Sequence, residues 1–386
     1  MTQRFRYQNY DAIIIGARCA GAATGMLMAR NGARVLIVDR ESQMHDTLST
    51  HALMRPAVTL LDQWSLLGQI ATEGTPAVRS THFHYGAERI DVPIKSSGNA
   101  EGLYAPRRWL LDRVLRDAAE RSGAELRTGT SLVSLVKNAS GGVTGAVLRH
   151  PNGTIQTVRS GIVIGADGRR SMVAESVGAR TIVQSEACSA TAYTYVDGLP
   201  NQGYRWYYGD RIAAGLIPTT NGAHCLFTSC APGAFKSWFK DDAFGGAMKM
   251  LSTWEPEIAA DLRLRGPSEK MRRFPGAPGH IRDCAGPGWA LVGDAGYFKD
   301  PATAHGITDA FLDANRLARV LATTPDDARE YQVERNWVAP TLFELTRKIA
   351  SLDWDFDRLK ALHMDLNNCM KAEQQSLSPA NLAIAA

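Results

Sequence analysis

Residues 11–39 read DAIIIGARCAGAATGMLMARNGARVLIVD. Asp11 to Gly16 is a continuous apolar run that stops at glycine, the pattern of a parallel strand buried on both faces. Residues 20–31 are rich in Ala, Met and Leu, which favour helix. Gly32 closes that helix, and Ala33–Asp39 is a second apolar strand ending in an acid. The whole is a βαβ unit of the usual size, about 30 residues. Its turn approximates G-x-G-x-x-G, with Gly16 and Gly21 in the first and third places and Arg18 in the second. The first glycine permits the tight turn, and the last permits close helix–strand packing. The helix N-terminus offers N–H groups and a positive dipole end to phosphates. Asp39, beside Arg40, stands where a carboxylate accepts from ribose hydroxyls. The bland alternative is an ordinary βα turn with a solvated acid. Strand, turn, helix and terminal acid occurring together favour the dinucleotide reading.

Composition narrows the classes. The chain has 386 residues, 45% hydrophobic and 21% charged. That excludes a disordered or collagen-like chain and predicts two or three units, or one large α/β body with insertions. A net charge of +4 without a basic run of five argues against nucleic acid. No stretch approaches the ~20 apolar residues of a membrane span, and no signal-peptide pattern opens the chain. Six cysteines without a CxxC pair read as reduced, buried thiols, so a cytoplasmic location is expected and no metal is assigned. Glycine is in excess, at 35 of 386, and its placement carries the reading.

Further along, residues 80–94 alternate as two antiparallel strands, and 108–122 form an amphipathic helix. Residues 125–164 supply short strands with turns at Ser140-Gly141-Gly142 and Pro151-Asn152-Gly153, ending in GIVIGADGRRS. Residues 187–232 are strand-like and aromatic, and 243–263 helical. Residues 274–288 are a Pro/Gly-rich connection, and GWALVGDAG is one more buried strand. Ile307–Leu321 is a helix, 326–375 is helical, and the last ten residues or so are expected to fray.

Two more glycine–acid signatures follow the first: Gly165-Ala166-Asp167-Gly168-Arg169-Arg170-Ser171, and Gly293-Asp294-Ala295-Gly296 with Asp300-Pro301-Ala302-Thr303-Ala304-His305-Gly306. Such pairs at strand ends, far apart in sequence, suit one long cofactor stretched across a sheet. In this order they resemble the p-hydroxybenzoate-hydroxylase-like (class A) FAD-dependent monooxygenases, related to geranylgeranyl-reductase-type flavoproteins and halogenases. The resemblance spans about the first 320 residues. It implies an α/β chain: a Rossmann-like FAD-binding domain of glutathione-reductase type, an inserted mixed β-sheet substrate domain and a helical C-terminal tail. The expected FAD-binding domain is discontinuous, over 1–80, 100–184 and 280–322. The substrate domain takes 81–99 and 185–279, and the tail 323–386.

The resemblance also assigns roles. Gly16, Arg18, Gly21, Asp39 and Arg40 match the loop and acid holding the ADP part of FAD. Arg55 resembles an arginine reaching the phosphates or the flavin side, and Arg108 one beside the ribityl chain and pyrophosphate. Asp167 and Gly168 match the DG pair. Gly293 and Asp294 match the GD pair at the ribityl or ribose oxygens. Pro301, Ala304, Gly306 and Ile307 belong to the loop along the flavin ring. The helix starting near Ile307 or Thr308 aims its positive end at the flavin's N1–C2=O edge, where reduced flavin is negative. Thr303 stands where the family's first loop glycine is usual. His305 would then lie near the reacting edge, as a hydrogen-bond donor, charge tuner or general acid, or else as a packing group.

The activity implied by the resemblance is that of an FAD-dependent monooxygenase. NADH or NADPH reduces FAD, dioxygen adds, and a flavin C4a-hydroperoxide hydroxylates or epoxidises an aromatic or polycyclic small molecule. The alternative is an FAD-dependent alkene reductase. A halogenase is disfavoured, because only Ile217-Pro218 remains of a Trp-x-Trp-x-Ile-Pro pattern. An FAD-binding protein using the flavin structurally is a fourth option. No GxSxG, P-loop or HExxH occurs. His82-x-His84 would put two imidazoles on one strand face, short of a metal set. Tyr193, Tyr195, Trp206 and Tyr208 are candidates to cap an apolar or aromatic substrate, with Trp206 and Tyr208 on one face and Tyr207 on the other. His51 is a second catalytic candidate. Neither nucleic acid nor membrane is expected as a partner, and the chain is expected as monomer or homodimer. The tail, with Trp337, Trp354 and Phe356, either closes the pocket or makes a dimer contact.

Overall fold

The computed structural model describes residues 9–377 except 48 and 50. The N-terminal stretch, Thr50 of the loop before His51, and the expected frayed end beyond Leu377 lie outside the described residues. The elements run β1 (Asn9–Ile15), α1 (Cys19–Arg30), β2 (Val35–Asp39), α2 (Arg55–Gln63), α3 (Leu67–Thr72), β3 (Ser80–Tyr85), β4 (Glu88–Pro93), α4 (Arg108–Arg121), β5 (Glu125–Thr128), β6 (Ser131–Lys137), β7 (Val143–Arg149) and β8 (Ile155–Gly165). Then come α5 (Met172–Val177), β9 (Thr181–Gln184), β10 (Ala190–Val196), β11 (Tyr204–Gly209), β12 (Ile212–Pro218), β13 (His224–Cys230), α6 (Phe235–Phe239), α7 (Ala243–Leu251) and α8 (Pro256–Arg265). The chain ends with β14 (Arg272–Phe274), β15 (His280–Arg282), β16 (Ala285–Gly286), β17 (Trp289–Leu291), β18 (Tyr297–Phe298), α9 (Gly306–Thr323), α10 (Arg329–Ala350) and α11 (Phe356–Ser376).

The first sheet has the order β16-β17-β8-β1-β2-β5, with β6 and β7 branching from β8. β17, β8, β1, β2 and β5 are parallel, and Ile13 pairs with Leu36 on one side and Val163 on the other. All of β2 is buried, as its unbroken apolar run requires. Helix α1 is buried on most of its surface because α4 and α9 pack against it. Against the sheet, glycine permits the close approach of α1: a Cβ on Gly25 would stand 2.4 Å from Ile37 Cδ1 of β2.

The second sheet has the order β14-β10-β13-β12-β11-β3-β4, antiparallel except for β3 against β11. Residues alternate across it. Tyr207, Ala214, Leu216 and Leu226 face a core under α7 and α8. Tyr193, Tyr195, Trp206, Tyr208 and Phe227 face the main core, so the expected opposition of Tyr207 to Trp206 and Tyr208 holds.

Three expectations change. The helical stretch 243–263 is two helices, because Pro256 opens α8. The tail is broken at 351–355, where Leu352 adopts a left-handed φ of 53°. The connection 274–288 contains β15, which pairs with β9 and β18 in a small third sheet.

Candidate cofactor and substrate site

The glycine turn is built against the second motif. Gly16 has φ 104°, and a Cβ there would lie 2.4 Å from the Ala166 carbonyl oxygen. A Cβ on Gly21 would lie 1.8 Å from the Gly16 carbonyl oxygen. Arg18, in the place of the middle glycine, turns its guanidinium toward His45 Nε2 at 3.4 Å and the Asp112 carboxylate at 4.0 Å. The backbone approach to the turn is therefore left clear. Asp39 accepts from Ala17 N (2.8 Å), Glu41 N (2.9 Å) and Arg116 Nη2 (3.0 Å). Arg116 also donates to the Ala17 carbonyl at 2.7 Å, tying the acid to the turn. Arg40 is exposed and pairs with Glu41 at 3.5 Å.

Arg108, at the start of α4, is buried. Its Nη2 donates to both Asp112 oxygens (3.0 and 3.2 Å) and reaches Cys19 Sγ at 3.5 Å, at the first turn of α1. Burial opposes its charge, yet Asp112, Cys19 and Asp294 together outweigh that and hold its pKa above the usual value. Asp294 comes close enough for its charge to act on Arg108. Its own carboxyl is pushed up to about 6 by desolvation and by Asp309, against Arg108, Lys299 and Arg169. Asp167 Oδ2 accepts from Met172 N at 2.7 Å, and desolvation raises its pKa. Gly168 has φ 79° and Gly293 φ 58°. The three motifs thus converge at the C-terminal ends of the parallel strands β1, β8 and β17. Arg55 is engaged elsewhere, on the carbonyls of Lys95 and Gly102.

Asp300 anchors the third motif to the second sheet. It accepts from Ala302 N (2.9 Å), Ser189 N (2.6 Å) and Ser189 Oγ (2.8 Å). Pro301–Thr303 make a 3-10 turn, Ala304 takes φ 51°, and α9 begins at Gly306 with Ile307 buried behind it. His305 is buried at that N-terminus. Its Nε2 lies 2.9 Å from Glu373 of α11 and 3.8 Å from Asp309, which is paired with Lys299. Ligand atoms of His305, Asp309 and Glu373 lie within 4.8 Å of one another, a spacing a metal could use. The Lys299 ammonium already provides the counter-charge there.

Buried polar atoms in folded proteins almost always have partners. Among the described residues fourteen buried side-chain atoms have no hydrogen-bond partner, and five of them are Arg18 Nη1, Arg108 Nε, Asp167 Oδ1, His305 Nδ1 and Thr308 Oγ1. All five belong to the three motifs or to the helices they feed and pack against. Donors and acceptors left open beside glycines that admit no Cβ fit a long polar cofactor such as FAD.

The second sheet supplies an aromatic wall. His51 has φ 62° and is fully buried; its Nε2 bonds the Tyr195 hydroxyl, and its ring stacks on Tyr195 at 5.5 Å. Burial pushes its pKa down to about 3, Asp46 opposing, so the ring is neutral. The Arg107 guanidinium lies 3.4 Å over the Tyr195 ring centre and pairs with Asp46 and Glu269. Tyr193 donates to the Thr47 carbonyl at 2.7 Å. A small cavity of about 20 Å³ is lined by Trp206, Tyr208, Phe227, Ala302, Leu352 and Trp354. Of the four substrate candidates, Trp206 and Tyr208 line it and Tyr193 and Tyr195 do not. A larger surface groove of about 530 Å³, between α6, α7 and α8, involves no motif residue. His82 pairs with Asp91 at 2.6 Å, while His84 packs on Tyr207 at 4.7 Å, so the two imidazoles have separate partners.

The sequence profile described as an FAD binding domain matches residues 9–336. The chain belongs to this FAD-binding family, FAD_binding_3, of p-hydroxybenzoate-hydroxylase-like proteins. Among curated relatives, a digeranylgeranylglycerophospholipid reductase of Methanosarcina mazei is 28% identical over 324 residues, 80% of this chain and 74% of that protein. A menaquinone reductase of Mycolicibacterium smegmatis is 26% identical, covering 81% and 76% of the two chains. A tetracenomycin B2 monooxygenase-dioxygenase of Streptomyces olivaceus is 26% identical, covering 89% and 69%. Among solved structures, Pseudomonas aeruginosa PqsL in complex with 2-aminobenzoylacetate superposes with TM-score 0.78 at 18% identity, covering 92% and 99%. That likeness is one of fold. As a member of FAD_binding_3, the chain is an FAD-dependent oxidoreductase. No helix among its described residues is long and apolar enough to cross a membrane.

Three participants were not anticipated from the sequence: Arg116 behind Asp39, Arg107 over Tyr195, and Glu373 on His305; Trp354, expected from the tail either to close the pocket or to make a dimer contact, stands in the cavity wall. Asp309, four residues after His305 on α9, was readable from helical spacing. Glu373 had no local signal.

Proposed function

We propose that the protein is a monooxygenase that uses NADH or NADPH and dioxygen to hydroxylate or epoxidise an aromatic or polycyclic small molecule. The single observation that carries this is the enclosed aromatic cavity. It joins Trp206, Tyr208 and Phe227 to Ala302 of the third motif, with no charged side chain in its wall. At about 20 Å³ the space between these rings holds no more than a water-sized group, so an aromatic substrate enters by parting the side chains, and the apolar wall then keeps water out, which oxygen transfer requires. When bound, FAD supplies the electron transfer and oxygen activation.

The chain's own residues bind and orient. Gly16, Gly21 and Asp39, with Arg18 and Arg40 nearby, hold the ADP part of FAD. Arg108 takes the pyrophosphate, Asp167, Gly168 and Asp294 the ribityl side, and the Pro301–Ile307 segment with the α9 N-terminus the ring edge. His305 exchanges a proton at Nδ1, the ring nitrogen left open. His51, neutral and bonded to Tyr195, orients the wall.

A second reading, alkene reduction, is favoured by the reductases among the relatives. The deciding experiment uses FAD-loaded protein with NADH or NADPH, polycyclic phenols and isoprenoid alkenes. Oxygen uptake with product heavier by one oxygen atom is expected. Product heavier by two hydrogens, without oxygen uptake, would establish the reductase instead.

A further inference from the structure

Glu373 lies beyond the segment the family profile matches, yet it reaches the third motif. Its Oε2 is 2.9 Å from His305 Nε2, and the two side chains are 10% and 0% exposed. Nδ1 of the same ring is buried without a partner. The second carboxylate near the ring, Asp309, is engaged by Lys299. Helix α11 is held at both ends of this span. His363 accepts from or donates to the Tyr85 hydroxyl at 2.8 Å and packs on Tyr208 at 4.9 Å, ten residues before Glu373. At ~1.5 Å per residue the helix therefore runs about 15 Å from the aromatic wall to the His305 loop. A carboxylate on one ring nitrogen fixes the proton there and leaves the other nitrogen as the acceptor. Lys299, Asp309 and Glu373 together bring one cation against two carboxylates, so positive charge appearing on the ring is compensated.

We propose that Glu373 is a positioning residue for His305: it takes the Nε2–H and presents Nδ1 as proton acceptor to a hydroxyl-bearing aromatic substrate. This rests on the monooxygenase reading above. In the step, the substrate O–H bond breaks and an N–H bond forms at Nδ1. The electron pair stays on the substrate oxygen, activating the ring toward oxygen transfer. The imidazolium so formed faces the Glu373 carboxylate.

The test compares FAD-loaded wild type, Glu373→Ala, Glu373→Gln, His305→Ala and the double variant His305→Ala/Glu373→Ala. The first readout is nitrogen NMR of 15N-histidine-labelled protein, with the His305 signals assigned by their loss in His305→Ala. Wild type should carry its proton on Nε2, and Glu373→Ala should show a tautomer mixture. With phenolic substrates, kcat should fall about 10- to 100-fold in Glu373→Ala with KM little changed, because a base loses its orientation but not its presence. The double variant should be no slower than His305→Ala. Should Glu373→Ala not fold, the isosteric Glu373→Gln carries the comparison, with a smaller kcat loss. An unmoved tautomer, or losses that multiply in the double variant, would overturn the positioning role. A tautomer shift in a protein that oxygenates no phenol would instead overturn the substrate assignment and the monooxygenase reading.

Discussion

Arg108→Met separates what an arginine does for the fold from what it does for the cofactor. In the structure Arg108 forks onto Asp112 at 3.0 and 3.2 Å, with side chains 8% and 2% exposed. Removing the guanidinium alone strands a buried carboxylate, whose nearest remaining cation is Arg18 at 4.0 Å. Breaking one side of a buried pair costs about 3–5 kcal/mol, whereas replacing both partners is close to neutral. Arg108→Met and Asp112→Asn should therefore each lower stability, and the double variant should recover most of the loss. FAD affinity should behave differently. The open Nε of Arg108 offers a charge-assisted hydrogen bond to phosphate. Its loss is worth about 1.5–3 kcal/mol, or roughly 10- to 150-fold in Kd. Denaturant melts of the apo-protein and FAD fluorescence titrations read the two quantities separately. Both variants lacking Arg108 should bind FAD weakly, and Asp112→Asn should bind it nearly normally. A double variant that is stable and binds FAD with the wild-type Kd would refute the assignment of Arg108 to the cofactor.

Gly21→Ala places a Cβ 1.8 Å from the Gly16 carbonyl oxygen and should cost about 1–3 kcal/mol and FAD retention, since α1 must move off the turn. Gly68→Ala, in helix α3 with open space around it, should be neutral or stabilising by about 0.5–1 kcal/mol in the same melts. Asp313 is buried, accepts from Gly293 N at 3.0 Å, and is pushed up to about 6 by desolvation despite Arg335 and Arg316. Its folded pKa lies above the unfolded 3.8, so between those values the folded state holds the extra proton and stability falls as pH rises. His51, His224, His280 and His363, all pushed down by burial, tilt the profile the other way. The readable quantity is thus a difference: Asp313→Asn minus wild type should grow more favourable from pH 4 to 7, measured by denaturant midpoints. A flat difference would show that Asp313 ionises at its ordinary value.

The cofactor side of the molecule was legible because its signals are local. Gly16, Gly21 and Asp39 lie within one βαβ unit, and continuous apolar runs mark each strand that carries a motif. Period-two alternation likewise placed Trp206 and Tyr208 opposite Tyr207. What escaped was made by partners distant in sequence. Arg116 meets Asp39 across 77 residues, and Glu373 meets His305 across 68. Strands β9, β15 and β18 have two to four residues each and exist only because they pair with one another. The break at Leu352 lacks the glycine that ordinarily announces a left-handed residue.

That division has a physical consequence for how chemistry varies within such a fold. The three motifs constrain backbone: a Cβ on Gly16 or Gly21 has nowhere to go, so that part of the molecule tolerates little change while it holds the same cofactor. The substrate side is made of exchangeable side chains on a second sheet and of two helices that run past the end of the family match at residue 336. Ile349, Leu352 and Trp354 reach the cavity from the end of α10 and the break after it, and Glu373 reaches His305 from α11. None of these contacts fixes a backbone geometry that FAD requires. A reductase and a monooxygenase can therefore share the same cradle, and the residues that decide between them are to be sought beyond 336 and along the inner face of the second sheet.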